Sequence, residues 1–332
     1  MKALLSHSAG GPDTLVLTDV PEPGPPGDDE ILLRVKACGV NYPDVLIIED
    51  KYQAKPPRPF APGSEVSGVV ESVGAKVRHL KPGDRIIAST GWGGMAEKIL
   101  IAAHRCTPVP DSISFEQGAC LILAYGTSYH ALKDRAKLRA GEKLLVLGAA
   151  GGVGIAAVQL GKAMGATVIA AASSEEKVLK AKQHGADIGF VYPGDLDKDR
   201  ARVMTESLKQ LAGSDGMDVI YDPVGGDYAE AALRSIGWQG RYLVVGFPAG
   251  IPKLPLNLVL LKGCDVRGVF WGGYVNREPA EAANTIRELV KLCSDRTIEP
   301  LISARFPLER GGEAIAFLAD RKIIGKAVVM VG

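Results

Sequence analysis

Short apolar runs separated by turn-forming residues dominate the first 120 residues of the chain. Apolar runs bounded by Gly, Pro, Asn and Asp are typical of β-strands. The pattern therefore predicts an irregular β structure here, with turns at the proline- and glycine-rich stretches 21–27 and 81–84. The predicted strands are 2–5, 14–18, 30–37, 65–73 and 85–88.

A different pattern begins near residue 115, where helical periodicity alternates with short apolar runs. This alternation predicts an α/β fold, a doubly wound parallel sheet with helices on both faces. The predicted strands are 143–148, 167–172, 188–192, 218–221, 240–246 and 266–270, and the helices between them are 153–164, 175–184, 199–212, 226–235 and 256–262. After residue 275 the predicted elements are helices at 278–294 and 308–320 and strands at 305–307 and 326–331.

Charge and cysteine content narrow the functional classes. The 332 residues carry 39 Lys and Arg against 38 Asp and Glu, and this net charge of +1 lacks the positive excess typical of nucleic-acid binding. The five cysteines are scattered without a C-x-x-C pair, which indicates neither a disulfide framework nor a local zinc site. The N-terminus does not resemble a signal peptide, and a buried strand with a glycine turn explains the uncharged stretch 144–160. We expect a cytoplasmic protein without a membrane span.

The strongest local signal is a strand, a glycine-rich turn and a helix at 144–154, LLVLGAAGGVG. It fits the dinucleotide-binding pattern as Ala149-x-Gly151-x-x-Gly154, with alanine in place of the first glycine. Such a turn presents backbone N–H groups and a helix N-terminus to a pyrophosphate, and the alternative is a tight turn without a ligand. We expect the backbone of Ala150, Gly151, Gly152 and Val153 to form this pyrophosphate-binding turn.

The end of the next predicted strand indicates which dinucleotide is bound. An NAD site usually places Asp or Glu there, to accept a hydrogen bond from the ribose 2′-hydroxyl. Here the strand runs into Ser173 and Ser174, and Lys177 follows one helical turn later. Hydroxyls and a cation favour a 2′-phosphate, so the sequence predicts NADPH as the cofactor.

Four motifs together carry a resemblance to a known family: ACGVNYPD at 37–44, PGSEVSG at 62–68, AAGGVG at 149–154 and DPVGG at 222–226. In this order they resemble the medium-chain dehydrogenases/reductases, close to the zinc-independent NADPH:quinone oxidoreductases. The resemblance covers essentially the whole chain. It implies a GroES-like irregular β domain, 1–122 completed by 275–332, and a Rossmann domain at 123–274.

The departures from the zinc-containing branch of this family concern two positions. The zinc enzymes would have a cysteine at Asn41 and a histidine at Ser64, and Asn and Ser are poor zinc ligands. We therefore expect no metal. Without zinc to polarise a carbonyl, hydride is better delivered to a conjugated acceptor such as a quinone or an enone. By resemblance Asn41 would position the nicotinamide ribose or the acceptor, or else it only satisfies loop backbone.

The resemblance also implies contacts with the cofactor at helix and strand ends. Each of these contacts has an alternative that involves no ligand: the tyrosine would only pack at the sheet edge, the threonine would only cap a helix, and the aromatic residues would only cover the core. These residues are Thr127, Tyr192, Gly246, Phe247, Phe270 and Gly272.

The leading functional hypothesis is an NADPH-dependent reductase of a small quinone or enone, in which Tyr52 by resemblance donates the proton. The alternative for Tyr52 is an aromatic that packs a loop. A second hypothesis is an enoyl- or acryloyl-CoA reductase, whose basic loop Lys51, Lys55 and Arg58 would meet the phosphates. A third is a non-catalytic NADPH-binding protein, crystallin-like or RNA-binding. The apolar run at 266–270 suits an edge strand through which relatives form homodimers.

Overall fold

The computed structural model describes all residues, 1–332, and divides into two compact units. Met1–Leu123 and Ile286–Gly332 form the first unit, and Ala124–Thr285 forms the second. The sequence places the boundaries after 122 and after 274. The structure keeps the second unit intact to Thr285, within a helix that runs from Pro279 to Ser294.

The first unit is built mainly from antiparallel strands. They are β1 (Lys2–Ser6), β2 (Leu15–Asp19), β3 (Glu30–Gly39), β4 (Glu65–Val73), β5 (Arg85–Ser89), β6 (Lys98–Ala102) and β7 (Cys106–Pro108), with Ile302–Pro307 and Lys326–Met330 added from the end of the chain. Its helices are α1 (Tyr42–Ile48), α2 (Phe115–Gly118) and, near the C-terminus, Gly311–Ala319.

The second unit alternates strands and helices. They are α3 (Ala124–Tyr129), a π-helix (His130–Ala136), β8 (Lys143–Val146), α4 (Gly152–Ala163), β9 (Thr167–Ala172), α5 (Glu175–Gln183), β10 (Ile188–Val191), α6 (Lys198–Ala212), β11 (Met217–Asp222), α7 (Tyr228–Leu233), β12 (Ile236–Val244), α8 (Leu256–Lys262), β13 (Asp265–Gly268) and α9 (Trp271–Arg277). The second unit ends within the next helix, α10 (Pro279–Ser294). The C-terminal elements that the chain returns to the first unit are β14 (Ile302–Pro307), α11 (Gly311–Ala319) and β15 (Lys326–Met330).

The C-terminal strand completes the large sheet of the first unit. That sheet has the order β14-β15-β3-β4-β5-β7, with β6 also paired to β3, while β1 and β2 form a separate pair. In the antiparallel pairing of β15 with β3, Val328 lies opposite Gly39 and Val329 opposite Cys38. Leu33 of β3 and Val329 are fully buried in one apolar cluster. The two ends of the chain therefore share a core.

The six strands of the second unit form one parallel sheet in the order β10-β9-β8-β11-β12-β13. Leu144, Leu145 and Val146 of the central strand β8 are fully buried, as expected of a strand covered on both faces. The strand order reverses between β8 and β11, and ligands bind such sheets at the carboxyl edge beside this switch point. The predicted α/β class, with a Rossmann-type sheet, is confirmed.

Local differences from the sequence prediction have identifiable physical causes. The helix α1 was not predicted because it is short, yet it buries Val45, Ile47 and Ile48 against the core of its unit. Thr127 is the fourth residue of α3, so it neither opens this helix nor caps it, as the two predictions for this residue had it. No helix in the chain combines the length and apolarity needed to cross a bilayer.

Three predicted strands end two residues earlier than expected, and the first of them, β8, stops at Val146 rather than at 148. Strand β12 stops at Val244, so Gly246 and Phe247 lie in the loop that follows it. Strand β13 stops at Gly268, and Phe270 precedes α9, whose second residue is Gly272. All four residues consequently belong to loops or helix starts after the strands and do not end the strands themselves.

Candidate functional site

The glycine-rich turn between β8 and α4 contains two glycines with different requirements. A Cβ at Gly154 would lie 2.1 Å from the Gly148 carbonyl oxygen and 2.8 Å from the Ala149 Cα, so only glycine fits there. A Cβ at Gly151 would have the Gly148 oxygen, at 3.5 Å, as its nearest neighbour. Packing within the protein thus explains Gly154 but not Gly151, whose open backbone at the start of α4 is suited to close approach by a ligand.

The end of β9 carries the hydroxyl and ammonium groups predicted from the sequence. Ser174 is the N-cap of α5, and its hydroxyl oxygen accepts a hydrogen bond from the Lys177 backbone N–H at 3.3 Å. The Lys177 Nζ donates to the Ser173 hydroxyl oxygen, also at 3.3 Å. Glu175 and Glu176 lie in the first turn of α5, where the helix dipole stabilises acidic side chains. The structure therefore brings Ser173, Ser174 and Lys177 together as a group that fits a phosphate.

The loop after β11 is organised by a buried carboxylate whose role the sequence did not reveal. The Asp222 Oδ1 accepts hydrogen bonds from the backbone N–H groups of Val224 at 2.8 Å and Gly225 at 2.9 Å. The Tyr242 hydroxyl donates to the other oxygen. Burial raises the pKa of Asp222, although these hydrogen bonds oppose the shift. Because Val224 Cγ2 would contact a Cβ at Gly148, the loop lies against the glycine-rich turn.

The remaining predicted cofactor residues of the second unit differ in exposure. Tyr192 is only 7% exposed, and its ring centroid lies 5.0 Å from that of Tyr228. Phe247 and Phe270 expose about half of their surface, 50% and 57%. Thr127 is half-buried, and its neighbour Ser128 donates to the Val153 carbonyl oxygen at 2.8 Å. That contact fixes α3 beside the start of α4.

In the first unit, Asn41 lies in a buried network of charged and polar side chains. The Lys326 Nζ is 2.9 Å from the Glu65 Oε1 and donates to the Asn41 Oδ1. The Asn41 Nδ2 donates to the same Glu65 oxygen, at 2.9 Å. Lys326 and Glu65 are 4% and 0% exposed. Burial alone would lower the pKa of Lys326, but the Glu65 carboxylate and the other acidic groups around the ammonium, Asp44 among them, together raise that pKa, so the lysine is charged.

Sequence analysis missed Glu65 and Lys326, although each carries a visible signal. Each is the charged first residue of a strand that otherwise reads as largely apolar, EVSGVV and KAVVM. Charged residues are rarely buried unless they are paired. A charge of each sign at the start of a buried strand was therefore a recognisable hint of an ion pair.

Asp44 connects the first turn of α1 to the loop that carries Ser64. One of its oxygens accepts from the Asn41 backbone N–H at 2.8 Å and the other from the Gly63 N–H at 3.1 Å. Burial raises the pKa of Asp44 to about 7, against the opposing effect of these donors and of Lys326. Tyr52 is half-buried against the apolar core, and burial, followed by the Asp44 charge, raises the pKa of its phenol.

The donor set around Asn41 does not fit a catalytic zinc ion. The Asn41 amide oxygen already accepts from a cation, and the Ser64 hydroxyl is buried without a hydrogen-bond partner. Cys38 is fully buried, and that burial raises its pKa far above the value at which a thiolate forms readily. No cluster of three or more His, Cys, Asp or Glu side chains is arranged to hold a metal.

The basic loop considered for coenzyme A recognition is largely neutralised by its own neighbours. The Lys51 Nζ lies 2.7 Å from a Glu49 carboxylate oxygen. The Arg58 guanidinium pairs with Asp50 at 2.8 Å and donates to the Ile48 carbonyl oxygen at 2.9 Å. These pairs reduce the positive charge that the loop offers to a polyphosphate.

Comparison with known proteins places both units in one family. The family described as alcohol dehydrogenase GroES-like domain matches residues 27–111, and that described as zinc-binding dehydrogenase matches residues 152–293. Quinone oxidoreductase-like protein 2 of Rattus norvegicus is 38% identical over 309 residues, which are 92% of this chain and 86% of the relative. Human quinone oxidoreductase is 33% identical over 316 residues, 95% of this chain and 92% of the relative.

Solved structures agree with the sequence relatives. Escherichia coli quinone oxidoreductase complexed with NADPH superposes with a TM-score of 0.90 at 28% identity, covering 99% of this chain and 100% of that one. A probable oxidoreductase from Mycobacterium abscessus has a TM-score of 0.86 at 37% identity, with 99% of each chain covered. The family resemblance inferred from the motifs is confirmed.

The two glycines of the turn should respond differently to alanine. In most helices Gly→Ala is stabilising by up to about 1 kcal/mol. At Gly154 the new methyl group would collide with backbone atoms at 2.1 and 2.8 Å, so we expect Gly154→Ala to lower the free energy of unfolding by about 2–3 kcal/mol. Gly151→Ala is the matched control and should change it by less than about 1 kcal/mol. Urea unfolding measures both, and equal losses would contradict the assignment.

Proposed function

Because the chain belongs to the quinone oxidoreductase family of medium-chain dehydrogenases/reductases, we propose that it is an NADPH-dependent reductase of quinones or α,β-unsaturated carbonyls. The observation that carries the proposal is that one unit contains both an open glycine turn at Gly151 and, after β9, the hydroxyl and ammonium groups of Ser173 and Lys177. Two of the solved relatives are complexed with NADPH, and one of them is Escherichia coli quinone oxidoreductase.

The second unit would hold the two phosphate-bearing parts of the cofactor. Backbone N–H groups of Ala150, Gly152 and Val153, at the positive end of the α4 dipole, would bind the pyrophosphate. The Gly151 N–H already donates to the Gly148 carbonyl oxygen at 3.0 Å, so Gly151 would contribute close approach of its backbone rather than a donor. Lys177 and the two serines would bind the 2′-phosphate through charge-assisted hydrogen bonds. The other proposed contacts follow the family pattern, and a contact of Tyr192 is restricted to the small part of its side chain that is exposed. These residues are Thr127, Tyr192, Gly246, Phe247, Phe270 and Gly272.

The residues around Asn41 restrict the class of acceptor. Bound NADPH supplies hydride. Reduction of a simple ketone then needs a strong electrophile at the carbonyl oxygen, and neither the Asn41 amide nor the Ser64 hydroxyl supplies one. A quinone or enone spreads the developing negative charge onto a remote oxygen, where neutral hydrogen-bond donors suffice.

Tyr52 is the proposed proton donor for enone substrates. A phenol is a weak acid at pH 7, and burial together with Asp44 makes this one weaker still. It can nevertheless hydrogen-bond to an enolate oxygen as charge develops there and transfer its proton at that stage. A hydroquinone anion needs no such group because water protonates it readily.

We further propose a cytoplasmic homodimer. The strand β13 is the last of the parallel sheet, so one of its edges is unpaired, and Val266 on it is 40% exposed. The adjacent helix α8 exposes Leu256, Leu260 and Leu261 at 74%, 80% and 68%. An unpaired edge beside exposed leucines is typical of an interface between copies. All five cysteines are free, which suits a reducing compartment.

The function is tested by an NADPH-oxidation screen with quinones, enones, alkenals and enoyl-CoA esters. We expect turnover with quinones or enones, and NADPH should bind at least about tenfold more tightly than NADH, because one charge-assisted hydrogen bond contributes roughly 1.5–3 kcal/mol. Isothermal titration calorimetry measures the two affinities. Tight NADPH binding without turnover of any acceptor would favour the non-catalytic alternative.

Two variants test whether the cluster after β9, which consists of Ser173, Ser174 and Lys177, binds the 2′-phosphate. Lys177→Ala should reduce the preference for NADPH over NADH to near unity. Lys182→Ala, an exposed lysine on the same helix, should leave it unchanged. An unchanged preference in Lys177→Ala would overturn the assignment of this cluster.

Tyr52→Phe should separate the two classes of acceptor. We expect unchanged NADPH affinity, enone turnover lowered by about 10²-fold or more, and a much smaller loss with quinones. Steady-state kinetics of both substrates measures this, with Tyr42→Phe as the control because Tyr42 is a neighbouring exposed phenol. Small and equal losses on both substrates would make Tyr52 a packing residue.

Sedimentation velocity at micromolar protein tests the dimer. The wild-type chain should sediment at twice its mass of 35.0 kDa. Leu260→Asp should yield monomers, because a charge buried in an apolar interface without a partner is strongly unfavourable. Leu179→Asp, at an exposed leucine of α5, should remain dimeric. A wild-type monomer would exclude the proposal.

A further inference from the structure

Asp222, the last residue of β11, is a buried carboxylate whose hydrogen bonds stay inside the second unit. It is 1% exposed. Its Oδ1 accepts from the backbone N–H groups of Val224 and Gly225, and its Oδ2 accepts from the Tyr242 hydroxyl. These three donors are uncharged, so hydrogen bonds rather than a cation compensate the burial of this carboxylate. A buried acid held in this way strongly favours the one arrangement of its neighbours that makes every bond.

The backbone of Asp222 anchors a second loop as well. Its carbonyl oxygen accepts from the Val245 N–H at 2.9 Å and, more weakly, from the Gly246 N–H at 3.4 Å. Both residues belong to the loop 245–250 that follows β12. Asp222 therefore fixes the loop 223–226 through its side chain and the start of the loop 245–250 through its main chain. We call these two loops together the loop pair.

The two loops also interlock directly. The Gly226 N–H donates to the Gly250 carbonyl oxygen at 2.7 Å. At Gly225, where φ is +70°, a Cβ would lie 2.5 Å from the Phe247 Cβ and 2.7 Å from the Gly250 oxygen. The loops thus meet at a distance that excludes a side chain, and a change in one of them must displace the other.

The order of the strands indicates which part of the cofactor the loop pair would meet. The group proposed for the 2′-phosphate follows β9, and the turn proposed for the pyrophosphate follows β8. Strands β11 and β12 continue the sheet on the other side of β8, at about 5 and 10 Å from it. A cofactor with its phosphates after β9 and β8 would therefore extend its nicotinamide half over the loop pair.

The loop pair presents two groups to such a ligand. Phe247 is 50% exposed. At Gly246 the nearest neighbour of a Cβ would be the Pro223 carbonyl oxygen at 3.6 Å, so the backbone there is open to close approach.

We propose that Asp222 is a positioning residue that holds the loop pair in the shape that binds the nicotinamide half of NADPH. The inference rests on the proposed function. Asp222 does not itself touch the ligand, because its side chain is buried and its oxygens accept from groups of the protein. Its contribution is to the entropy of binding, since loops that are ordered in the free protein do not have to be ordered by the ligand.

The first experiment measures the Kd of NADPH and of 2′,5′-ADP, which lacks the nicotinamide half, by isothermal titration calorimetry. The wild type should bind NADPH more tightly. Asp222→Ala should weaken NADPH binding by about tenfold or more, the cost of ordering at least one residue, and change the Kd of 2′,5′-ADP by less than about twofold. Asp222→Asn should retain most of the NADPH affinity, because its amide oxygen still accepts from Val224 and Gly225 and its NH₂ group donates to the Tyr242 oxygen.

The second experiment disturbs the loop pair without touching the carboxylate. Gly225→Ala places a methyl group against Phe247 and should produce the same selective loss of NADPH affinity. Gly213→Ala is the matched control. Its φ of +69° imposes similar backbone strain in the same unit, but the nearest neighbour of its Cβ is the Lys143 Nζ at 3.7 Å. It should lower the urea midpoint of unfolding and leave both affinities unchanged.

Hydrogen exchange of the wild type needs no variant. In the free protein the amides of Val224 and Gly225 should exchange at least about 10²-fold more slowly than in an unstructured peptide, because the carboxylate already holds them. NADPH should add little to this protection. Amides that exchange freely until NADPH binds would overturn the proposal.

The outcomes separate this inference from the proposed function. The positioning role is overturned if folded Asp222→Ala binds NADPH like the wild type, if it loses both ligands in equal proportion, or if Asp222→Asn is as weak as Asp222→Ala. If Asp222→Ala does not fold, Gly225→Ala and the hydrogen exchange of the wild type decide by the same criteria. A wild type that binds NADPH no more tightly than 2′,5′-ADP overturns only this inference. A wild type that binds neither ligand refutes the proposed function instead.

Discussion

The carboxylate of Glu65 is the point at which distant parts of the first unit are joined. One of its oxygens accepts hydrogen bonds from the side chains of Asn41 and Lys326, and the other accepts one from the Leu123 backbone N–H at 2.9 Å. These partners lie 24, 261 and 58 residues away along the chain. A sheet that takes strands from both chain ends must select their register, and a slip of one residue would turn every side chain to the other face. A single buried charge at the start of β4 with a single opposite charge at the start of β15 penalises such a slip severely, because each charge would be left unpaired.

The glycine-rich turn of the second unit depends on close backbone approach. At Gly154 the start of α4 meets the end of β8 at a distance that excludes any side chain, and this contact brings the helix N-terminus to the carboxyl edge of the sheet. Asp222 then holds the neighbouring loop by accepting from two consecutive N–H groups. The conformations of both segments are fixed within the protein, so a phosphate-bearing ligand would meet donors that are already oriented. Such pre-organisation lowers the entropy cost of binding.

Those parts of the fold that depend on local pattern were predictable from the sequence. The inner strands β8, β9 and β11 of the parallel sheet are apolar runs because both of their faces are buried. The glycine turn and the serine–lysine cluster have signals that span only a few residues. Features decided by tertiary contacts were not predictable. The helix α1 is too short for periodicity to identify. For Tyr192 the sequence left cofactor contact and packing as alternatives, and its packing against Tyr228 is a tertiary contact without a local signal. The charges of Glu65 and Lys326 hinted at a buried ion pair, but no local signal connected that pair to Asn41, because Lys326 is 285 residues away from it in the chain.

The Lys326 ammonium uses its three N–H donors inside the protein, on the Val40 carbonyl oxygen, the Glu65 Oε1 and the Asn41 Oδ1, and this limits the groups that can respond to charge on a substrate. The one full positive charge near Asn41 is neutralised by Glu65 and has no donor to offer, so a strongly localised oxyanion would find little stabilisation there. The protein groups of this region with a donor proton to offer are hydroxyls: Tyr52, whose pKa is raised, and Ser64, whose oxygen is buried without a partner. Neutral donors of this kind stabilise delocalised charge adequately and localised charge poorly. The electrostatics of the first unit thus favour acceptors that spread the incoming charge over a conjugated system, which is the property that quinones and enones share.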